Sequence, residues 1–177
     1  EMYSIDESRI HMTGWSMGCM MTQFFAVETQ GIIASAGCMS GYLMTEAPST
    51  YSIPIPFMEV HGVLDPSLQY TDNSANFMIG FQSTRGVNAG AMQNLEYWAD
   101  LNGCIGVVPE IFELNDDFDI RGYSECENGA EVRLMSLFLA QHNPYVNDHD
   151  IHDVSGNPTG TPSTRILWDF MSQFQNE

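Results

Sequence analysis

"TGWSMGCMM", residues 13–21, is the stretch on which the reading of this chain turns. Gly14, Ser16 and Gly18 stand at G-x-S-x-G spacing. Before them RIHMT (9–13) alternates like a short strand. After them Met17, Met20, Met21, Phe24 and Phe25 fall at i, i+3, i+4, i+7 and i+8, the apolar face of a helix. A serine at so sharp a strand-to-helix turn has its hydroxyl lifted clear of the sheet. The flanking glycines are expected because a Cβ at Gly14 or Gly18 would clash in the turn.

Outward from this turn, strands keep alternating with helices. Gly31 ends the first helix, and IIASA (32–36) reads as a buried strand. A loop rich in Gly, Ser, Thr and Pro spans 37–56, and FMEVHG (57–62) is the next strand. Residues 71–87 carry no decisive pattern. NAGAMQNLEYWADLNG (88–103) predicts a helix with Asn88 as N-cap and Gly103 as the C′ residue. VVPEIFEL (107–114), IRGYSEC (120–126) and EVRLMSLFLA (131–140) read as strands. STRILWDFMSQFQ (163–175) predicts a terminal helix capped by Ser163 or Thr164, with Ile166, Leu167, Phe170, Met171 and Phe174 as its apolar stripe. The pattern predicts a single α/β domain over residues 1–177, a mostly parallel sheet flanked by helices.

The bulk composition narrows the chemistry. The 177 residues carry 23 Asp and Glu against 5 Lys and Arg, a net charge of −18. Such a surface repels phosphate backbones and anionic membranes, so neither nucleic acid nor a membrane is an expected partner. It suits saline water, where carboxylate repulsion is screened, and equally serves plain solubility. No run of 18 apolar residues is present, so no spanning helix is expected. The chain opens EMYSIDESRI, with neither an initiator methionine in first place nor a signal peptide, and the expectation is that the true N-terminus lies upstream.

Ser16 needs partners to act as a nucleophile. A hydroxyl at neutral pH is weak, and requires an imidazole to take its proton and a carboxylate to hold the imidazole in the right tautomer. The required order is serine, then Asp or Glu, then His, each in a loop after a later strand. VHGVLDPSLQY supplies Asp65 and LMSLFLAQHNPY supplies His142, in that order. The backbone N–H of Met17, in the first turn of the helix, would face a developing oxyanion. Trp15 either lines the substrate pocket or packs under the turn.

Other polar groups compete. His61 reads as a structural hydrogen-bonder in the turn, and His11 faces away from the site. NDHDIHD (147–153) sets His149 and His152 among Asp148, Asp150 and Asp153, but with no second ligand cluster it reads as a solvated loop, and no metal or organic cofactor is expected. Asp116, Asp117 and Asp119 read as an acidic surface turn. Four cysteines allow three pairings, or four buried thiols. Cys19, in the helix after the turn, and Cys38, just past the next strand, are neighbours in a doubly wound sheet, so a bridge between them fits; Cys104 and Cys126 are left as the second pair.

YSIDESRIHMTGWSMGCMM, HGVLDPSLQY, EYWADLNGC, GYSECENGAEVRLMSLFLAQHNPY and TRILWDFM together resemble the polyhydroxybutyrate depolymerase and feruloyl esterase branch of the α/β-hydrolases. The resemblance implies Ser16 as nucleophile, Asp65 as acid, His142 as base, and Cys104 paired near Cys126. It implies ester hydrolysis through an acyl-enzyme, on polyester or hydroxycinnamoyl esters, in a secreted or otherwise extracytoplasmic protein. The chain matches that fold only from the nucleophile strand onwards and lacks its N-terminal strands, with their second oxyanion donor. A missing N-terminal segment or another chain would complete the sheet. Cys19 replaces a small residue, usually glycine, and HNPY replaces a more usual glycine-rich, tryptophan-bearing stretch. The competing expectation is a truncated, non-catalytic relative that serves as a binding module.

Overall fold

A strand covered on both faces must be apolar or hydrogen-bonded at every position, and SAGCM and FMEVHG meet that condition. The structure, a computed structural model, describes residues 4–71, 90–146 and 157–176. Its strands are β1 His11–Trp15, β2 Ser35–Met39, β3 Phe57–Gly62, β4 Glu110–Leu114, β5 Phe118–Tyr123 and β6 Val132–Leu137. They form one six-stranded sheet in the order β1-β2-β3-β6-β5-β4. β1, β2, β3 and β6 run parallel, whereas β5 and β4 turn back as an antiparallel hairpin. With helices α1 Met17–Glu28, α2 Ala91–Leu101 and α3 Ser163–Met171, the described chain is α/β with a mixed sheet.

Side chains alternate across the sheet with the two-residue period of a strand. On one face Ala36, Cys38, Phe57, Val132 and Leu134 pack with Val27 of α1 and Leu95 and Trp98 of α2. On the other, Met39, Met58, Val60, Met135 and Leu137 pack with Leu167, Phe170 and Met171 of α3. Trp98 stacks on Phe57 at 4.6 Å between ring centroids. Its indole N–H donates to Gln23 Oε1 at 2.8 Å, so the largest side chain of the core leaves no donor unpaired.

Several expectations are corrected. The Met and Phe stripe of α1 is not its inward face: Met17, Met21 and Phe24 are exposed, and Cys19, Thr22, Gln23, Ala26 and Val27 are buried. The cause is specific bonding. Cys19 is disulfide-bonded to Cys38 of β2, and the Gln23 amide donates to Gly41 O at 2.9 Å while accepting from Trp98. These ties rotate the polar-looking side of α1 inward. β2 begins at Ser35, three residues later than the apolar run suggests, which places Cys38 inside the strand. The α3 cap position is Pro162, with no side-chain cap; the Ser163 hydroxyl instead donates to Pro144 O at 2.5 Å. Asp116 and Asp117 are exposed, but Asp119 is buried against Arg121. Gly103 has the left-handed φ of +60° expected of a C′ residue, while Asn88 lies outside the described residues. No helix among the described residues is long and apolar enough to cross a membrane.

The two glycines of the turn are not equivalent either. A Cβ on Gly14 would lie 2.3 Å from the carbonyl carbon and oxygen of Gly18, whereas a Cβ on Gly18 meets nothing within 4 Å. The clash is between backbones, so no rotamer change relieves it. Gly14→Ala should therefore destabilise by about 3 kcal/mol or more, or prevent folding. Gly18→Ala, inside a helix, should leave stability level or raise it by up to about 1 kcal/mol. Urea unfolding midpoints of the two variants distinguish these outcomes.

Candidate active site

Ser16 is the single residue between β1 and α1, and it adopts φ 54° and ψ −119°, a backbone conformation that non-glycine residues rarely take. It is held there from both sides. Its N–H donates to Met39 O at 2.9 Å, extending the β1–β2 ladder, and its carbonyl accepts from Cys19 N at 2.9 Å and Met20 N at 3.1 Å, opening α1. Gly41 packs under the turn, where a Cβ would lie 2.9 Å from Ser16 O and 2.8 Å from Cys19 Cβ. The Cys19–Cys38 disulfide ties the same turn of helix to β2.

The other two candidate residues leave neighbouring parallel strands at the same end of the sheet. Asp65 follows β3, His142 follows β6, and β3 pairs directly with β6. His142 Nε2 lies 2.9 Å from Ser16 Oγ, and its Nδ1 lies 2.7 Å from Asp65 Oδ2. The second oxygen of Asp65 accepts the backbone N–H groups of Ser67 and Leu68, each at 2.8 Å. Burial alone would raise the Asp65 pKa. The hydrogen bond from His142, the Leu68 N–H, the charge of His61 and the Ser67 N–H outweigh burial and hold the carboxyl below its usual range. The structure thus brings Ser16, Asp65 and His142 into one hydrogen-bonded line. Trp15 is 42% exposed and its ring lies 5.3 Å from that of His142.

Two residues that hold the line together escaped the sequence. Gly62 ends β3, and a Cβ there would lie 2.4 Å from Ala140 O and 2.7 Å from Gln141 O, so only glycine lets the acid and histidine loops touch. The Tyr145 hydroxyl accepts from Gly62 N–H at 2.8 Å and donates to Gln141 O at 2.8 Å, with Ser40 Oγ at 2.5 Å. Burial raises the Tyr145 phenol well above its ordinary value, so it stays protonated. The HG pair closing an apolar strand was a usable sign for Gly62; nothing adjacent marks Tyr145.

The remaining candidates sort by position. His61 is fully buried behind Asp65, with Nδ1 2.6 Å from Glu59 Oε1 and Nε2 2.7 Å from Leu68 O. His11 lies at the far end of β1, bonded to Ser35 Oγ at 2.8 Å, and burial lowers its pKa. Cys104–Cys126 joins the end of α2 to the segment after β5, away from Ser16. His149, His152, Asp148, Asp150 and Asp153 lie outside the described residues.

Two predictions follow from this geometry. Tyr145→Phe strands the Gly62 N–H and the Gln141 carbonyl, and should cost about 1–3 kcal/mol in urea unfolding. The second concerns pH. Burial alone would lower the His61 pKa, but the hydrogen bond and charge of Glu59, the charge of Asp65 and the Leu68 carbonyl raise it above 6.5. Stability from this bound proton is complete below pH 6.5 and is lost as pH rises through the folded value. Unfolding free energy should therefore fall between pH 6.5 and the raised folded value by up to about 1.4 kcal/mol per unit, a slope that His61→Gln removes. Asp65 works oppositely: its contribution is present above pH 3.8 and is lost as pH falls through its lowered value.

No family model matches the chain. It is similar to feruloyl esterase B of Piromyces equi, 24% identical over 174 residues that make up 96% of this chain and 28% of that protein. It is also similar to the bifunctional acetylxylan esterase/xylanase XynS20E of Neocallimastix patriciarum, 24% identical over 172 residues, 97% of this chain and 21% of that protein. The chain therefore spans about a quarter of the length of the curated relatives it matches. Both relatives carry esterase activity in their names, and the likeness supports an esterase family for this chain.

Proposed function

We propose that this chain carries the nucleophile, acid and base of a serine carboxylic ester hydrolase built on an α/β-hydrolase-type domain. The observation that carries the reading is the line Ser16 Oγ–His142 Nε2, His142 Nδ1–Asp65 Oδ2, at 2.9 and 2.7 Å, emerging from the same end of parallel strands. Ser16 attacks the ester carbonyl while His142 takes its proton. Asp65 holds the Nδ1–H tautomer and stabilises the imidazolium. The tetrahedral intermediate collapses to an acyl-enzyme as His142 protonates the departing alcohol; water, activated by the same imidazole, then releases the acid. Met17 is the first residue of α1, so its N–H is one of those that a helix leaves unpaired, and it serves as one oxyanion donor.

The second oxyanion donor is proposed to come from a further segment, or another chain, packed along β1. What supports this is the edge at β1, which has no strand on its outer side among the described residues, with Met17, Met21 and Phe24 exposed above it. One such donor contributes about 2.7–4 kcal/mol of transition-state stabilisation. The named activities of the relatives favour hydroxycinnamoyl or acetyl esters of plant polysaccharide over other esters. Trp15, half exposed beside His142, is placed to stack on an aromatic acyl group. The two disulfides support an extracytoplasmic setting, because reducing compartments keep thiols unpaired.

A serine-directed fluorophosphonate tests the reading without requiring full turnover. It should label the wild-type chain, and Ser16→Ala and His142→Ala should abolish labelling. Equal labelling of wild type and Ser16→Ala, or none in folded wild type, rejects the mechanism. Methyl ferulate, p-nitrophenyl acetate and a short polyester, offered as substrates, separate the substrate classes.

A further inference from the structure

The hydrogen-bonded line does not stop at Asp65. Behind it, on the face of the sheet covered by α2, His61 is enclosed by acceptors. Nδ1 faces the Glu59 carboxylate at 2.6 Å, Nε2 faces the Leu68 carbonyl at 2.7 Å, and Asp65 Oδ2 stands 3.6 Å from Nε2. A carbonyl oxygen can only accept, so Nε2 must carry a proton. The proton of the Glu59–His61 pair is shared over one short bond, and the nearby Asp65 charge favours its residence on the ring. Asp65 does not supply a proton itself, since among the described residues its oxygens meet donors: Ser67 N, Leu68 N, His142 Nδ1 and the more distant His61 Nε2.

The surroundings keep this cation in place. Glu59 Oε2 accepts from Asn94 Nδ2 of α2 at 2.8 Å, which fixes the carboxylate. Tyr42 lies parallel to the His61 ring at 6.2 Å and Tyr70 meets it edge-on at 6.0 Å. Tyr70 is bonded to Ser136 Oγ and feels Asp119 and Arg121 beyond it. Tyr42 and Tyr70 are therefore the other titratable rings facing His61. The Leu68 residue that receives the His61 bond through its carbonyl gives its own N–H to Asp65, so one imidazole grips the loop that carries the acid.

We propose that His61 is a positioning residue for the ester hydrolase described above, an imidazolium clamped between Glu59 and the Leu68 carbonyl that pins the Asp65 loop and keeps its carboxylate ionised for His142. The inference rests on that hydrolase reading for its purpose, but the charge of His61 can be measured independently of any activity.

Histidine-detected ¹⁵N–¹H spectra of the 177-residue chain should show both His61 ring nitrogens still protonated as pH rises through 6.5, the value of an ordinary imidazole. In Glu59→Gln the second proton should be lost at a lower pH than in wild type. A singly protonated His61 in wild type at that ordinary value overturns the proposal. The purpose is read from the pH profile of fluorophosphonate labelling. Loss of a nearby cation favours protonation of the Asp65 carboxylate that it faced and that His142 relies on. His61→Gln should therefore move the acid limb up by half a pH unit or more and lower the plateau at least tenfold. A lower plateau with an unmoved limb reports mere loosening and overturns the positioning role. Should His61→Gln fail to fold, Glu59→Gln supplies the same profile. If folded wild type does not label at any pH, the hydrolase reading fails and the positioning role goes with it, while the spectra still decide the charge of His61.

Discussion

The contact between the backbones of Gly14 and Gly18 is the constraint from which the rest of this structure follows. It lets the chain pass from strand to helix through Ser16 alone, and it leaves Ser16 with a dihedral pair that only surrounding bonds can hold. Those bonds come from β2, through Met39 O and the Cys19–Cys38 bridge. The register of β2 on β3, and of β3 on β6, then brings the ends of four parallel strands level. The Asp65 and His142 loops leave from that common rim. Position at the site is thus inherited from the ladder, and the loops need only short tethers, which Gly62 and Tyr145 provide.

The face of the sheet under α2 holds an unusual density of buried polar groups. Glu59, His61 and Ser136 point to that side from two adjacent strands, and Asn94, Tyr70 and the Asp65 loop cover them. Burying ions costs several kcal/mol each unless their bonds are complete. Here each carboxylate oxygen of Glu59 and Asp65 has a donor, so removing one member would expose the others to the full penalty. An apolar replacement of the whole cluster could be as stable. What it would lack is a defined charge at the back of the site.

Much of the geometry of the candidate site was legible, because the chemistry proposed for it would impose order along the chain. G-x-S-x-G, an aspartate after one strand and a histidine after the next parallel one are demands that few sequences meet together. The inward face of α1 was not legible, since apolar period is a weak guide where a disulfide and the Gln23 amide fix the helix rotation. Asp119 looked like its exposed neighbours Asp116 and Asp117, because burial against Arg121 depends on strand alternation in β5 and not on local composition. Tyr145 was hidden for a different reason. Its hydroxyl serves residues 83 positions away at Gly62 and 105 away at Ser40, and no local pattern encodes such a reach. The histidine at 61 was read as a structural hydrogen-bonder, and its bonds to Glu59 and Leu68 agree with that, while adding an ionic partner that spacing did not reveal.

The outward stripe of α1 has a chemical consequence of its own. Met17 is 72% exposed and directly follows Ser16, and Met21 is 56% exposed one turn further on. Thioethers so accessible are open to peroxide. Sulfoxide formation would turn this apolar rim polar and chiral while leaving Ser16, His142 and Asp65 untouched. Whatever surface meets that rim would then bind less well, and methionine sulfoxide reductase would restore it. Among the described residues the most exposed methionine is thus the one next to the candidate nucleophile.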